Sequence, residues 1–180
     1  IQNSSKNLTN KSATKNIPFA SIPPPKTEPI ATKPPASSAA SSRALSGKAA
    51  KERLLKTGEC SECDLVRVNL YRAELVGVNL REANLKRANL KGAYLSRANL
   101  EYATLSEANL EYANFEGAYL YHAKLTTANL KYATLSEANL KRAKIQYADL
   151  TGADLLGAHV EEATFCKTTM PDGSINNQDC

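Results

Sequence analysis

Four cysteines and two histidines are the residues of this chain best suited to chemistry. Cys60-Ser61-Glu62-Cys63 is a CxxC motif, and Cys166 and Cys180 make a second pair near the other end. Four thiolates could hold a tetrahedral zinc ion, a CxxC could cycle between dithiol and disulfide, and two pairs could be structural crosslinks. His122 and His159 could move protons, but general acid–base work needs a nucleophile or carboxylate converging within hydrogen-bond reach. No phosphate-binding glycine loop accompanies them. Which of these chemistries is open depends on how the intervening chain places the residues.

That intervening chain has a single period. Every fifth residue from Leu65 to Phe165 is apolar: seventeen Leu, with Phe115, Phe165, Ile145 and Val160. Two residues before each stands Ala in eighteen of twenty-one pentads, the exceptions being Cys63, Val68 and Val78. The residue between them is Asn or Asp in twelve. On an α-helix five residues advance about 500°, so the leucines would spiral round the axis and form no face. In a flat strand an odd spacing sends alternate leucines to opposite faces. Within a pentad, however, Ala and Leu are two apart and share a face. The other two residues must then turn the chain until the next Ala-x-Leu points inward again. One corner per pentad winds the chain about an axis, and the fold class is an all-β solenoid.

The unit Ala-(Asn/Asp)-Leu-x-x, running without insertion over 63–167, resembles the pentapeptide-repeat family. The resemblance implies a right-handed quadrilateral β-helix with four pentads per coil, hence about five coils and a rod roughly 25 Å long. Such a coil would stack Asn69, Asn89, Asn109, Asn129 and Asp149 in one column, each able to bond backbone at its corner as Asx residues do in turns. Tyr102, His122 and Arg142 would stack in another, flanked by Glu82 and Glu162. Lys91, Glu111 and Lys131 alternate in sign, as do Arg81–Glu101 and Lys141–Glu161, which suits a ladder for its own sake. Gly77, Gly92, Gly117, Gly152 and Gly157 all fall two residues after the inward apolar residue, where a corner tolerates or demands a small one.

With the cysteine pairs about five coils, or about 25 Å, apart, the geometry opposes a shared zinc site. No βαβ context surrounds the CxxC, which argues against a thioredoxin-like role. Two local disulfides, Cys60–Cys63 and Cys166–Cys180, fit the placement at the two frayable ends; reduced packing thiols are the alternative. The stretch Leu54-Leu55-Lys56-Thr57-Gly58-Glu59-Cys60-Ser61-Glu62-Cys63-Asp64-Leu65 resembles the Leu-Leu-x-Thr-x-x-Cys-x-x-Cys-Asp-Leu opening of cyanobacterial and plastid-lumen members. That implies the thylakoid lumen or the periplasm, with the cytoplasm as the alternative address.

The net charge of +5 is unevenly spread. Residues 1–59 hold ten Lys or Arg against three acids, and the remainder holds thirteen against fifteen. Residues 1–43, rich in Pro, Ser and Lys, read as a disordered tail that cannot bury enough surface to order itself. The chain opens at Ile1 rather than Met, which points to an upstream segment removed or omitted. Residues 44–59 read as a helix capping the first coil, with Ala50 and Leu54 on one side and Gly58 as C-cap. The β-helix then occupies 60–167, and 168–180 form a capping hairpin turning at Pro171-Asp172-Gly173.

The expected function is a non-catalytic scaffold or protein-interaction module, with no cofactor, metal or small-molecule substrate. Its candidate interaction surface is Tyr102, Tyr112, Tyr119, Tyr121, His122, Tyr132 and Arg142, since aromatics are enriched in interfaces. A structural spacer anchoring the tail is the alternative. Some family members mimic a DNA duplex at the DNA site of gyrase, which requires a strongly negative rod; the near-neutral repeat argues against it. Basic residues dispersed along the tail make no tight stripe for nucleic acid.

Overall fold

The structure, a computed structural model, describes residues 45–180. The disordered tail expected over 1–43 lies outside the described residues.

The backbone of one pentad explains the repeat. The Ala108 N–H donates back to the Leu105 carbonyl, 3.1 Å, closing a β-turn over the preceding corner. Asn109 donates to Ala88 of the coil before, at 2.9 Å, while Leu110 and Tyr112 donate to Asn129 and Lys131 of the coil after, at 2.8 and 2.9 Å. The remaining N–H, that of Glu111, donates to Oδ1 of Asn109 at 3.2 Å. All five donors are therefore satisfied, four by main chain and one by an Asx side chain. The same Asx turn closes at each of the twelve Asn or Asp pentads.

Parallel bridges join residues twenty apart from Glu59↔Asn79 to Asp149↔Thr169, so four pentads close one coil. The column Asn69, Asn89, Asn109, Asn129, Asp149 is continuous, with side-chain bonds from Asn89 to Asn69 (3.2 Å) and Asn129 to Asn109 (3.4 Å). Inside, every repeat leucine from Leu65 to Leu150, together with Phe115 and Ile145, is buried. The alanines two residues earlier pack against them from Ala83 onward to Ala153.

The ends are built differently. Helix α1 (Gly47–Thr57) buries Ala50 and Leu54 and stops at Gly58, which adopts left-handed φ 71° and donates to the Leu54 carbonyl at 2.9 Å. Before it, Leu45 and Ser46 run as a short extended piece against Asp64: Asp64 N–H donates to Leu45 and Gly47 N–H to Asp64, at 2.8 and 3.1 Å. Cys60–Cys63 and Cys166–Cys180 are disulfide-bonded. After the last pentad, β1 (Thr168–Thr169) pairs antiparallel with β2 (Ile175–Asn176). Asp179 then exchanges two bonds with Phe165, 2.8 and 2.9 Å. This hairpin covers the side of Phe165 but leaves Leu155 partly exposed and Val160 39% exposed, because the segment after the repeat is shorter than one coil.

The corners correct one sequence expectation. From Glu62 to Lys167 the second residue of every corner has positive φ, in seventeen non-glycine residues (50–61°) as well as in the five glycines. Glycine is therefore not demanded by the turn itself. Its use lies in what leans across it from the coil before: a Cβ on Gly152 would stand 2.6 Å from the Tyr132 ring, and one on Gly92 would stand 3.2 Å from Arg72 Cγ. A Cβ on Gly77 would meet nothing within 4 Å. Gly77→Ala is expected to cost about 1 kcal/mol from the left-handed backbone alone. Gly152→Ala should cost about 2–3 kcal/mol because the Tyr132 ring must also move. Urea unfolding of the two variants checks this, and equal costs would contradict the contact.

Candidate functional site

Corner residues stack at the ladder spacing of about 4.8 Å, so neighbouring aromatic rings meet face to face. Tyr102 stacks on His122 with centroids 5.2 Å apart and planes 11° apart. Tyr121, on the first corner position, stands edge-on to both rings, at 5.7 and 4.5 Å. Arg81 caps the other face of Tyr102, its guanidinium carbon 5.2 Å from the ring centroid. On the next rung Arg142 grips Glu162 in a fork, Nε to Oε2 at 2.8 Å and Nη2 to Oε1 at 3.2 Å, while Nη1 donates to the Tyr121 hydroxyl at 3.1 Å. Glu82 is paired with Arg81.

A second stack joins Tyr112 to Tyr132, 5.0 Å and 13° apart. Lys91 lies 5.8 Å over the Tyr112 ring and pairs with Glu111 at 2.8 Å, and the hydrogen bond it donates to Glu111 raises the pKa of this ammonium.

Of the seven residues expected to form an interaction surface, Tyr102, Tyr121, His122 and Arg142 come together at one corner, and Tyr112 and Tyr132 at another. Tyr119 does not join them. It sits between Asn99 and Asn139 in the column before the corner, half exposed, and makes no ring–ring contact among the described residues. The expected alternation at Lys91, Glu111 and Lys131 is likewise only partial: Lys131 turns to Asp149 at 3.1 Å, leaving Glu111 to Lys91. The Arg81–Glu101 and Lys141–Glu161 pairs form at 3.7 and 3.5 Å.

Sequence reading passed over two further features. Tyr71 and Tyr94 line a shallow depression of about 420 Å³ with Arg72, Lys91, Gly92 and Tyr112. A second depression, about 570 Å³, is lined by Glu82, Tyr102, Thr104, His122, Lys124 and Lys144. The signal for the second was present in the twenty-residue register, which puts two lysines on consecutive rungs. Among the described residues no group of three or more His, Cys, Asp or Glu converges on a metal-sized site. No described helix is long and apolar enough to cross a membrane.

The geometry agrees with what the chain is similar to. The model of pentapeptide repeats matches it in eight copies, at residues 63–101, 88–126, 98–136, 118–157 and 133–170 among others. The chain belongs to the pentapeptide-repeat family. Its similarity to the pentapeptide repeat protein Rfr23 of the cyanobacterium Cyanothece 51142 is 35% identity over 67% of this chain and 96% of that one, with a TM-score of 0.64. HetL, a pentapeptide repeat protein involved in heterocyst differentiation regulation in Nostoc sp. strain PCC 7120, is 34% identical over 66% of this chain and 64% of its own, TM-score 0.46. A pentapeptide repeat protein of the Arabidopsis thaliana thylakoid lumen is 23% identical over 66% of this chain and 70% of its own, TM-score 0.27. No curated protein matches. Membership of this family makes the pentapeptide-repeat segment a right-handed β-helix solenoid.

The Arg142–Glu162 fork has a pH consequence. Its hydrogen bonds hold the Glu162 carboxyl below the usual glutamate range, as those from Arg87 and then Lys86 hold Glu107. A carboxyl lowered by folding adds stability that is complete above its unfolded pKa of about 4.3 and is lost as pH falls through the folded value. The wild-type chain should therefore exceed Arg142→Gln in urea midpoint at neutral pH, by a small margin because the pair is exposed. The margin should close as pH falls through the folded value. A margin that is constant with pH would show that the fork contributes nothing through ionisation.

Proposed function

We propose that this chain is a non-catalytic pentapeptide-repeat scaffold that binds a protein partner through its aromatic corners. The observation that carries this reading is a set of exposed rings already held in order. Tyr102, Tyr112 and Tyr132 are each 41–55% exposed, yet stacking holds all three and cation–π contacts hold Tyr102 and Tyr112. Aromatic side chains that need no further ordering bind at low entropic cost, and Tyr and Arg dominate interface energetics. A protein partner suits the shallow surface better than a small substrate does, since the depressions are open rather than enclosing. Non-catalytic action is supported at His122, which meets tyrosine rings and no nucleophile.

In this reading the solenoid has about five coils, α1 caps the first and the β1–β2 hairpin partly caps the last. The domain limits are 1–43, 44–59, 60–167 and 168–180. The two disulfides support an oxidising compartment, with the thylakoid lumen or periplasm as its address. Gyrase inhibition by DNA mimicry finds little support in a repeat with near-equal acids and bases.

Affinity capture with the full chain tests the reading, beside a variant with Tyr102, Tyr112, Tyr121 and Tyr132 changed to Ser. Loss of the captured partner by about tenfold or more is expected. Unchanged capture would remove the aromatic corners from the function, and capture by residues 1–43 alone would favour the spacer reading. For the compartment, the unreduced protein should weigh about four hydrogens less than its fully reduced form; four free thiols would end that argument.

A further inference from the structure

The repeat between Cys60 and Phe165 holds six lysines. Lys86, Lys91, Lys131 and Lys141 each reach a carboxylate within 4.0 Å. Among the described residues Lys124 and Lys144 reach none, although they are joined by a parallel bridge on consecutive rungs. Like charges directly opposite on a ladder oppose folding. Among the described residues no carboxylate within 4.0 Å offsets this like-charged pair.

The surroundings are those of an anion site. Above the pair in the same column stands Thr104 and below it Thr164. Thr164 accepts from Gln146 at 2.7 Å, which leaves its own hydroxyl proton for another acceptor. Beside them the depression of about 570 Å³ is walled by Tyr102 and His122. The faces of Tyr102 are occupied, since it lies between Arg81 and His122. What Tyr102 offers a ligand is its edge, where the quadrupole is positive. Glu82, the acid on the rim, is held by Arg81. A stacked planar ligand has no open face on Tyr102, whereas a negative group meets two ammoniums and the Thr104 hydroxyl.

Rungs lie about 4.8 Å apart, a span that one tetrahedral oxyanion bridges with a charge-assisted hydrogen bond of about 2.8 Å to each ammonium. We propose that Lys124 and Lys144, with Thr104, form a binding site for one phosphate-type oxyanion, free or carried as an ester. The site stands apart from the tyrosine reading above, because neither lysine belongs to the corner stacks and its test leaves the tyrosines unchanged.

Isothermal titration of the full chain with inorganic phosphate and with phosphoserine, at chloride-matched ionic strength, tests the site. Lys124→Gln and Lys144→Gln should each weaken binding about tenfold or more, while Lys86→Gln, which removes a lysine already paired with Glu107, leaves it unchanged. In chloride alone Lys144→Gln should unfold at a urea midpoint equal to or above that of wild type, the reverse of a lysine with a structural role. Uptake of phosphoserine without inorganic phosphate still supports the site and assigns its ligand as an ester. Uptake of neither, or uptake that survives the double Lys124→Gln, Lys144→Gln variant, overturns it.

Discussion

A chain that turns a corner every five residues presses its backbone against the coils on both sides, and each buried N–H must find an acceptor there. Four of the five in a pentad are met by the ladders and the turn. The first corner residue has no partner in a neighbouring coil, so the Asx carbonyl two residues earlier supplies one. This requirement, not recognition of any ligand, accounts for the Asn and Asp column. It also marks where the chain departs from it. Glu74, Tyr94, Thr104, Tyr119, Lys124, Thr134, Lys144, His159 and Thr164 replace Asx. There the local turn chemistry is set aside and the position is released for surface chemistry. Both lysines of the proposed anion site are among them.

The same geometry makes each coil depend on its neighbours. A left-handed corner costs a non-glycine residue roughly 1–2 kcal/mol, and seventeen such residues accept it. Fifteen of them, all but Glu162 and Lys167 at the far end, are clamped: the Tyr112 N–H, for instance, donates to Lys131 of the following coil. Without that coil the strain would have no counterpart, which is the physical content of a repeat whose units cannot stand alone. The ends are where the clamping runs out. They hold the disulfides, α1 and the β1–β2 hairpin, and the partly exposed Leu155 and Val160 show how far the last of these reaches.

Leucine and alanine fill the interior of the described repeat, so the side chains open to a partner lie along its edges. Stacking at the rung spacing turns single side chains into rows: Arg81, Tyr102 and His122 in one, Tyr112 and Tyr132 in another. Such rows are ordered before any partner arrives, which suits recognition by shape and charge. Gly152 illustrates how closely the rows are fitted, since its missing Cβ makes room for the Tyr132 ring.

Much of this was legible in the residues alone. The five-residue period excluded helix and flat sheet, fixed which side chains point inward, and gave the Asx residues their turn role. Helix α1 and its glycine stop were readable from helix formers and Gly58. The twenty-residue coil came only through family resemblance, because a period of five does not say how many corners close a turn; the bridges from Glu59 to Thr169 supply that number. Side-chain choices were beyond the sequence. Lys131 has Glu111 on one rung and Asp149 in an adjoining pentad, and the rotamer that reaches Asp149 is a matter of three-dimensional packing. Tyr119 lies near Tyr121 in the chain but just before the corner, out of the ring stack. Periodicity therefore determined which residues face the axis and which form the corners, because Ala and Leu two apart share a face. The twenty-residue register brought Tyr102 to His122 and Arg81 to Glu101, but only the tertiary structure decided choices such as Lys131 to Asp149, because those depend on rotamers.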